Sequence, residues 1–241
     1  MAQLHVVRHA QASFMRDDYD QLCPRGLQQA DALAAHLVSQ HQDRKPEIPW
    51  RLVSGPARRH HETAAPIGAA MADAGLLPAG RSPHEDARWD EFDLRGLLHA
   101  GAASGDPQLL PLLAAMGAAP DLAARGRALH RCTEVVVSRW MDGQLEADGL
   151  ESWAEFEARV SAALEAARPA SGQAAAVVTS VGPICVVLMR ALDVDGPTAF
   201  RTASRVRNSA VMTLLSGSPG LTLERFNDTT HLTDPDDLTL R

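Results

Sequence analysis

An α/β fold with a mostly parallel central sheet is what this chain predicts, and three observations lead there. The first is the opening stretch Gln3–Ala10, whose near-continuous apolar run, β-branched at Val6 and Val7, suits a strand covered on both faces. The second is the alternation behind it, in which strand-like runs trade places with helices that carry an apolar stripe. The third is that three strand-like runs end alike, in Arg8-His9-Ala10, in Ser54-Gly55-Pro56-Ala57-Arg58-Arg59 and in Thr179-Ser180-Val181-Gly182-Pro183. The full expectation is a three-layer α/β/α sandwich: one domain over 1–241, with a helical insertion at 96–147.

The elements follow in order. After the first strand, Gln11 to Asp20 reads as a polar loop with Asp17, Asp18 and Asp20 close together. Leu22-Cys23-Pro24-Arg25-Gly26 leads into a helix whose apolar stripe is Leu27, Ala30, Leu33, Ala34, Leu37 and Val38, and the polar stretch Gln40 to Pro49 ends it. Trp50 to Ser54 is a short second strand stopped by Gly55-Pro56, and a second helix spans about Ala57 to Ala74, with Gly75 as its stop. A further short strand is expected at Ala87–Trp89, ending in Asp90-Glu91-Phe92-Asp93. Between Gly96 and Ala147 the composition shifts to Ala, Gly, Leu and Pro, and two or three short helices broken at Pro107, Pro111, Gly117 and Pro120 are expected. Ser152 and Glu155 form a capping box for a helix with Trp153, Phe156, Val160 and Leu164 on one face, ended by Pro169. Ala174–Ser180 is another buried strand, and the helix behind it carries Ile184, Val187, Leu188 and Leu192. Runs at Ser209–Ser216 and Leu221–Phe226 read as a hairpin, followed by an irregular tail.

Composition narrows the function. With 45% apolar residues in 241, the chain can bury a proper core. A net charge of −7 argues against nucleic acid or an anionic membrane surface as partner, although a few local arginines suffice for a small phosphorylated molecule. Cys23, Cys132 and Cys185 are odd in number and lack metal-ligand spacing, which reads as reduced thiols in a cytoplasmic protein. No signal-peptide pattern is expected at the start, and the most apolar segment, 174–192, is broken by Gly182 and Pro183, so it reads as strand and helix instead of a membrane span.

If the three similar strand ends belong to parallel neighbours, they lie along one rim, where α/β sheets bind ligands. Helix N-termini there offer N–H groups to an anion, and arginines from the first two ends, Arg8 with Arg58 or Arg59, supply forks for phosphate oxygens. A histidine among arginines stays neutral and keeps its lone pair, so His9 can attack phosphorus. Glu91 is a candidate proton donor to the leaving oxygen, against the plainer reading of a solvated acid among Asp86, Asp90 and Asp93. His60-His61-Glu62 is a weak metal motif, because adjacent helical residues diverge by about 100°.

Val7-Arg8-His9-Ala10 resembles the Arg-His-Gly signature of the histidine phosphatase superfamily, the phosphoglycerate mutase-like proteins. Leu22–Ala30 is similar to that family's Leu-Thr-x-x-Gly-x-x-Gln-Ala, Gly55–Ala64 to Ser-Pro-Leu-x-Arg-Ala-x-Gln-Thr-Ala, Trp89-Asp90-Glu91 to Leu-x-Glu, and Thr179–Ile184 to Ser-His-Gly-Gly-x-[Ile/Val]. Asn208 also resembles a family position. The resemblance implies a phosphomonoesterase with His9 as nucleophile, Arg8 and Arg59 as phosphate ligands and Glu91 as general acid, needing neither metal nor cofactor. Gln11, Ser13 and Gly182 are the expected substrate-binding positions. Two departures stand out. The family's second histidine falls on Val181, which cannot donate to phosphate, and its glycine falls on Ala10. His60, His61 and His231 are the candidates to replace the missing histidine. The expected partner is a small phosphorylated substrate or inorganic phosphate, with a homodimer left open. A catalytically inactive phosphate-ligand binding protein, and after it a phosphoglycerate mutase, are the alternatives.

Overall fold

The computed structural model describes residues 2–13, 20–41, 50–78, 80, 83–146, 148–218 and 220–240. In chain order the elements are β1 (Ala2–Arg8), α1 (Pro24–His41), β2 (Arg51–Ser54), α2 (Arg58–Asp73), β3 (His84–Glu85), α3 (Leu94–Ala103), α4 (Leu109–Gly117), α5 (Leu122–Met141), α6 (Trp153–Ala167), β4 (Ala174–Thr179), α7 (Val181–Leu192), α8 (Gly196–Ala203), β5 (Val211–Gly217) and β6 (Gly220–Asp228). The expected loop at Gln11–Asp20 lies in part outside the described residues, as do most of Gln40–Pro49 and Pro219 of the hairpin turn.

Among the described residues the strands form one sheet in the order β3-β2-β4-β1-β5-β6. The first four are mutually parallel and β5 pairs antiparallel with both β1 and β6, so the sheet is mixed and mostly parallel, flanked by helices. β4 lies between β1 and β2, with Arg8 opposite Thr179 and Ser54 opposite Val178. The three similar strand ends are therefore neighbours on one rim.

The chain forms two compact units, one of Met1–Glu91 with Val160–Arg241 and one of Phe92–Arg159. In the sheet-bearing unit, Leu33, Ala34 and Leu37 of α1 and Ala64, Ile67 and Met71 of α2 share a core with Val7, Leu52, Ala176 and Val178 of the sheet. In the helical unit, Phe92, Trp140, Trp153 and Phe156 form an aromatic cluster with ring centroids 5.2–6.0 Å apart. The capping box forms as expected: Glu155 Oε2 accepts from Ser152 N at 2.9 Å, and Ser152 Oγ accepts from Glu155 N at 3.3 Å.

Several expectations need correction. The strand expected at Ala87–Trp89 is a 3-10 turn, and β3 lies just upstream. Asp86 causes the turn: its carboxylate accepts from the Arg88 backbone N–H and clasps the Arg88 guanidinium at 2.9 and 2.7 Å. Leu27 is 50% exposed, because the inward line of α1 runs through Gly26, Ala30, Leu33, Leu37 and His41, about 100° away. Leu192, in the last turn of α7, is exposed as well. Pro111 does not break a helix; it sits in the first turn of α4, where its missing N–H has no partner to lose. α5 is long, at 20 residues. α8 was not anticipated, although Asp195-Gly196-Pro197-Thr198 carries its start signal, an N-cap Asp195 accepting from Thr198 N at 2.7 Å with proline in the first turn. β6 extends to Asp228, and a 3-10 turn at Pro235–Asp237 gives the tail some order.

Candidate active site

His9 follows directly on β1 and is fixed from several sides. Its N–H donates to Thr179 O at 2.8 Å, and its carbonyl accepts from Ser209 N and Asn208 Nδ2, both at 3.3 Å. Nδ1 lies 2.8 Å from Ala10 O. A carbonyl can only accept, so Nδ1 carries the proton and Nε2 holds the lone pair. Burial first, and then the charges of Arg59 and Arg8, hold His9 well below the ordinary imidazole pKa.

The arginines come from two strand ends. Arg8, the last residue of β1, is buried, and its fork donates to Val206 O and, at 2.8 Å, to Leu240 O. Arg59, in the first turn of α2, donates from one terminal nitrogen to Asp20 Oδ1 at 2.6 Å and from the other to Ser180 Oγ at 3.2 Å. Asp20 also accepts from Arg58 N at 2.8 Å, which caps α2 from another loop, since Ala57 at the N-cap has no side-chain acceptor. The Arg58 side chain turns instead to Glu62 at 2.7 Å.

Glu91 lies beyond the 3-10 turn and reaches the N-terminus of α7, where its two carboxylate oxygens accept from Gly182 N at 3.0 and 3.2 Å. An anion at a helix N-terminus is well placed electrostatically. The Gly182 N–H expected to meet substrate thus meets Glu91. Val181 is the first residue of α7 and half-buried.

Gln11 is held by its backbone, with its N–H on Gln29 Oε1 at 2.8 Å and its carbonyl accepting from Cys23 N at 3.0 Å. Ser13 N donates to Gln21 O at 2.8 Å. Of the three candidate histidines, His60 is fully buried with its ring centroid 5.7 Å from that of His9 and Nε2 2.7 Å from Ser180 Oγ. His61 turns away to Glu85 at 3.0 Å, in keeping with the divergence of adjacent helical residues. His231 pairs with Ser209 at 2.8 Å, and burial lowers its pKa to about 4.

Sequence reading did not name the braces of this site. Thr63 Oγ1 accepts from Ala10 N at 3.0 Å and donates to Arg59 O at 2.7 Å, tying the two strand ends together. Gln29 spans from Gln11 to Asp237 O and Thr239 Oγ1 at 2.8 and 2.9 Å. Both stand inside quoted motifs, so the signal was present without its physical meaning. Ser180 stands inside the quoted Thr179–Ile184 motif as well, whereas Asp20 has no such signal.

No helix among the described residues is long and apolar enough to cross a membrane. Among curated proteins, no sequence matches this chain. The model of the histidine phosphatase superfamily (branch 1) matches residues 126–229. Similar solved structures include Bacillus stearothermophilus YhfR, at 14% identity and a TM-score of 0.64, covering 96% of this chain and 99% of that one. A phosphoserine phosphatase from Entamoeba histolytica in complex with phosphoserine has 15% identity and a TM-score of 0.60, covering 96% and 100%. A mycobacterial glucosyl-3-phosphoglycerate phosphatase with inorganic phosphate has 20% identity and a TM-score of 0.59, covering 96% and 99%. The chain matches the histidine phosphatase superfamily (branch 1) over residues 126–229 and shares the fold of these solved structures over nearly its whole length.

Proposed function

We propose that the chain is a phosphomonoester hydrolase working through a phosphohistidine on His9. The observation that carries this reading is the state of His9: Nδ1 is committed to Ala10 O, and Nε2 keeps its lone pair beside two arginines. In the first step Nε2 attacks phosphorus in line. The N–P bond forms, the P–O bond to the leaving group breaks, and Glu91 protonates the departing oxygen. Arg8 and Arg59 carry the charge on the equatorial oxygens. In the second step water attacks phosphorus, Glu91 takes its proton, and the N–P bond breaks to release inorganic phosphate. A phosphate entering the rim competes with Glu91 for the Gly182 N–H, which releases Glu91 for proton transfer. Gln11 and Ser13 contact the remainder of the substrate.

A small phosphorylated molecule is the substrate class this reading takes, in a cytoplasmic protein read as one domain over 1–241 with the helices of 96–147 inserted. The fold neighbours, a phosphoserine phosphatase and a glucosyl-3-phosphoglycerate phosphatase, fit that class. A second reading, a phosphate-binding protein without turnover, is favoured by Arg8, whose fork donates to two backbone carbonyls, and by Val181 at the α7 start.

The test is hydrolysis of an aryl phosphate by the wild type, His9→Ala and Val181→His, with acid-labile phosphate sought on the quenched protein. Turnover and labile phosphate that both vanish in His9→Ala support the hydrolase. A silent wild type that gains turnover in Val181→His supports the binding protein. Turnover that survives His9→Ala overturns the mechanism. Hydrolysis without interconversion of 3- and 2-phosphoglycerate excludes the mutase.

A further inference from the structure

His60 has no part in the mechanism above, yet it is fully enclosed beside His9. It is 0% exposed, and it fits only because residue 55 is glycine: a Cβ there would stand 2.5 Å from His60 Nδ1. Nδ1 faces the Gly55 backbone, and the group 2.7 Å from Nε2 is the Ser180 hydroxyl. Ser180, itself 2% exposed, is fixed by that bond and keeps a lone pair for a second partner. That partner is Arg59, at 3.2 Å. Burial, followed by the charges of Arg59 and His61, lowers the His60 pKa well below the ordinary value, which keeps the ring neutral through the neutral range.

We infer that His60 is a positioning residue: through the Ser180 hydroxyl it aims the Arg59 guanidinium at the place where a phosphoryl group binds. Arginine's fork is worth most when pre-aimed, since less of its rotamer freedom remains to be lost on binding. Asp20 holds the other terminal nitrogen from a partly exposed position. The Ser180–His60 pair is the buried side of the clamp. The inference rests on the proposed phosphate site and concerns how that site is held.

Inorganic phosphate binding to the intact chain, measured by calorimetry at neutral pH, reads this without requiring turnover. Removing one hydrogen bond of this kind corresponds to about fivefold to tenfold in affinity. Ser180→Ala and His60→Leu are each expected to weaken binding by that factor, and the double variant to be no weaker than the worse single one. In an Arg59→Ala background, His60→Leu is expected to change nothing further. His60→Gln, which can still bond to Ser180, is expected to bind within about twofold of wild type. Ser180→Ala removes only a hydroxyl and keeps the test valid if His60→Leu does not fold. Wild-type phosphate affinity in both Ser180→Ala and His60→Leu, whatever their thermal midpoints, overturns the inference and leaves the functional reading standing. A wild type that binds no phosphate overturns both.

Discussion

At the residue scale, Glu91 and His5 show how neighbours hold an ionisable side chain. Glu91 is held by Gly182 N, so replacing its carboxylate separates proton transfer from binding. Glu91→Gln is expected to lower kcat by about 10²–10⁴-fold while phosphate affinity stays level or rises, read by steady-state kinetics beside calorimetry. His5 lies far from that chemistry. It stacks on Trp50 at 5.2 Å and 7°, meets His41 edge-on at 5.4 Å, and reaches Thr213 Oγ1 with Nδ1 at 3.2 Å. Burial above all, and then the charges of His41 and Arg225, lower its pKa to about 3. The folded state therefore resists a proton that the unfolded chain accepts below about 6.5. The stability His5 carries as a neutral ring is complete above that pH and is lost progressively as pH falls toward 3. At pH 4 the loss is about 3 kcal/mol. Urea unfolding at pH 7.5 and pH 4 checks it: His5→Phe should lose markedly less stability between the two than wild type does.

At the scale of elements, the motifs turn out to be joints between segments. Gly26, in the first turn of α1, faces the loop behind His9 so closely that a Cβ would stand 2.1 Å from Gln11 O. Only glycine allows that approach, and Gln29, one turn further on, then receives the Gln11 N–H. Gly26→Ala is expected to cost about 1–3 kcal/mol in chemical denaturation and to weaken phosphate binding by displacing the loop. The helix was legible from its 3.6-residue stripe, and its phase was not. Leu27 matched the pattern equally well, and the close contact at Gly26 decided which side turned inward. The stretch Ala87–Trp89 failed for a similar reason. Its local pattern suited a strand, and the Asp86 carboxylate's bonds to Arg88 bent it into a turn.

At the scale of the whole molecule, the two ends of the chain meet at the site. Leu240 O accepts from Arg8 across 232 positions, Leu238 O accepts from Arg207 at 2.7 Å, and Thr239 is bonded to Asn208 and Gln29. A segment with little regular structure of its own is thereby ordered by the groups that hold the His9 strand. Deleting the residues after Asp236 removes these bonds and the one from Gln29 to Asp237 O, each worth about 1 kcal/mol. The shortened chain is expected to lose several kcal/mol in urea unfolding and to bind phosphate more weakly than wild type, because Arg8 loses one of its fixed acceptors.

By itself the sequence determined the α/β class, the order of most elements and the set of strand ends at which Arg8, His9 and Arg59 stand. Apolar periodicity and turn residues are local properties, written within a few positions of where they act. Only the tertiary structure decided that β4 lies between β1 and β2, that Glu91 rests on Gly182, and that Asp20 and Ser180 hold Arg59. It also decided that His60, and not His61, comes to lie beside His9. Of these, the Arg59–Ser180 bond alone joins residues 121 positions apart. Which of several equally polar side chains meets which partner depends on strand order and helix phase, and these emerge only when the core closes.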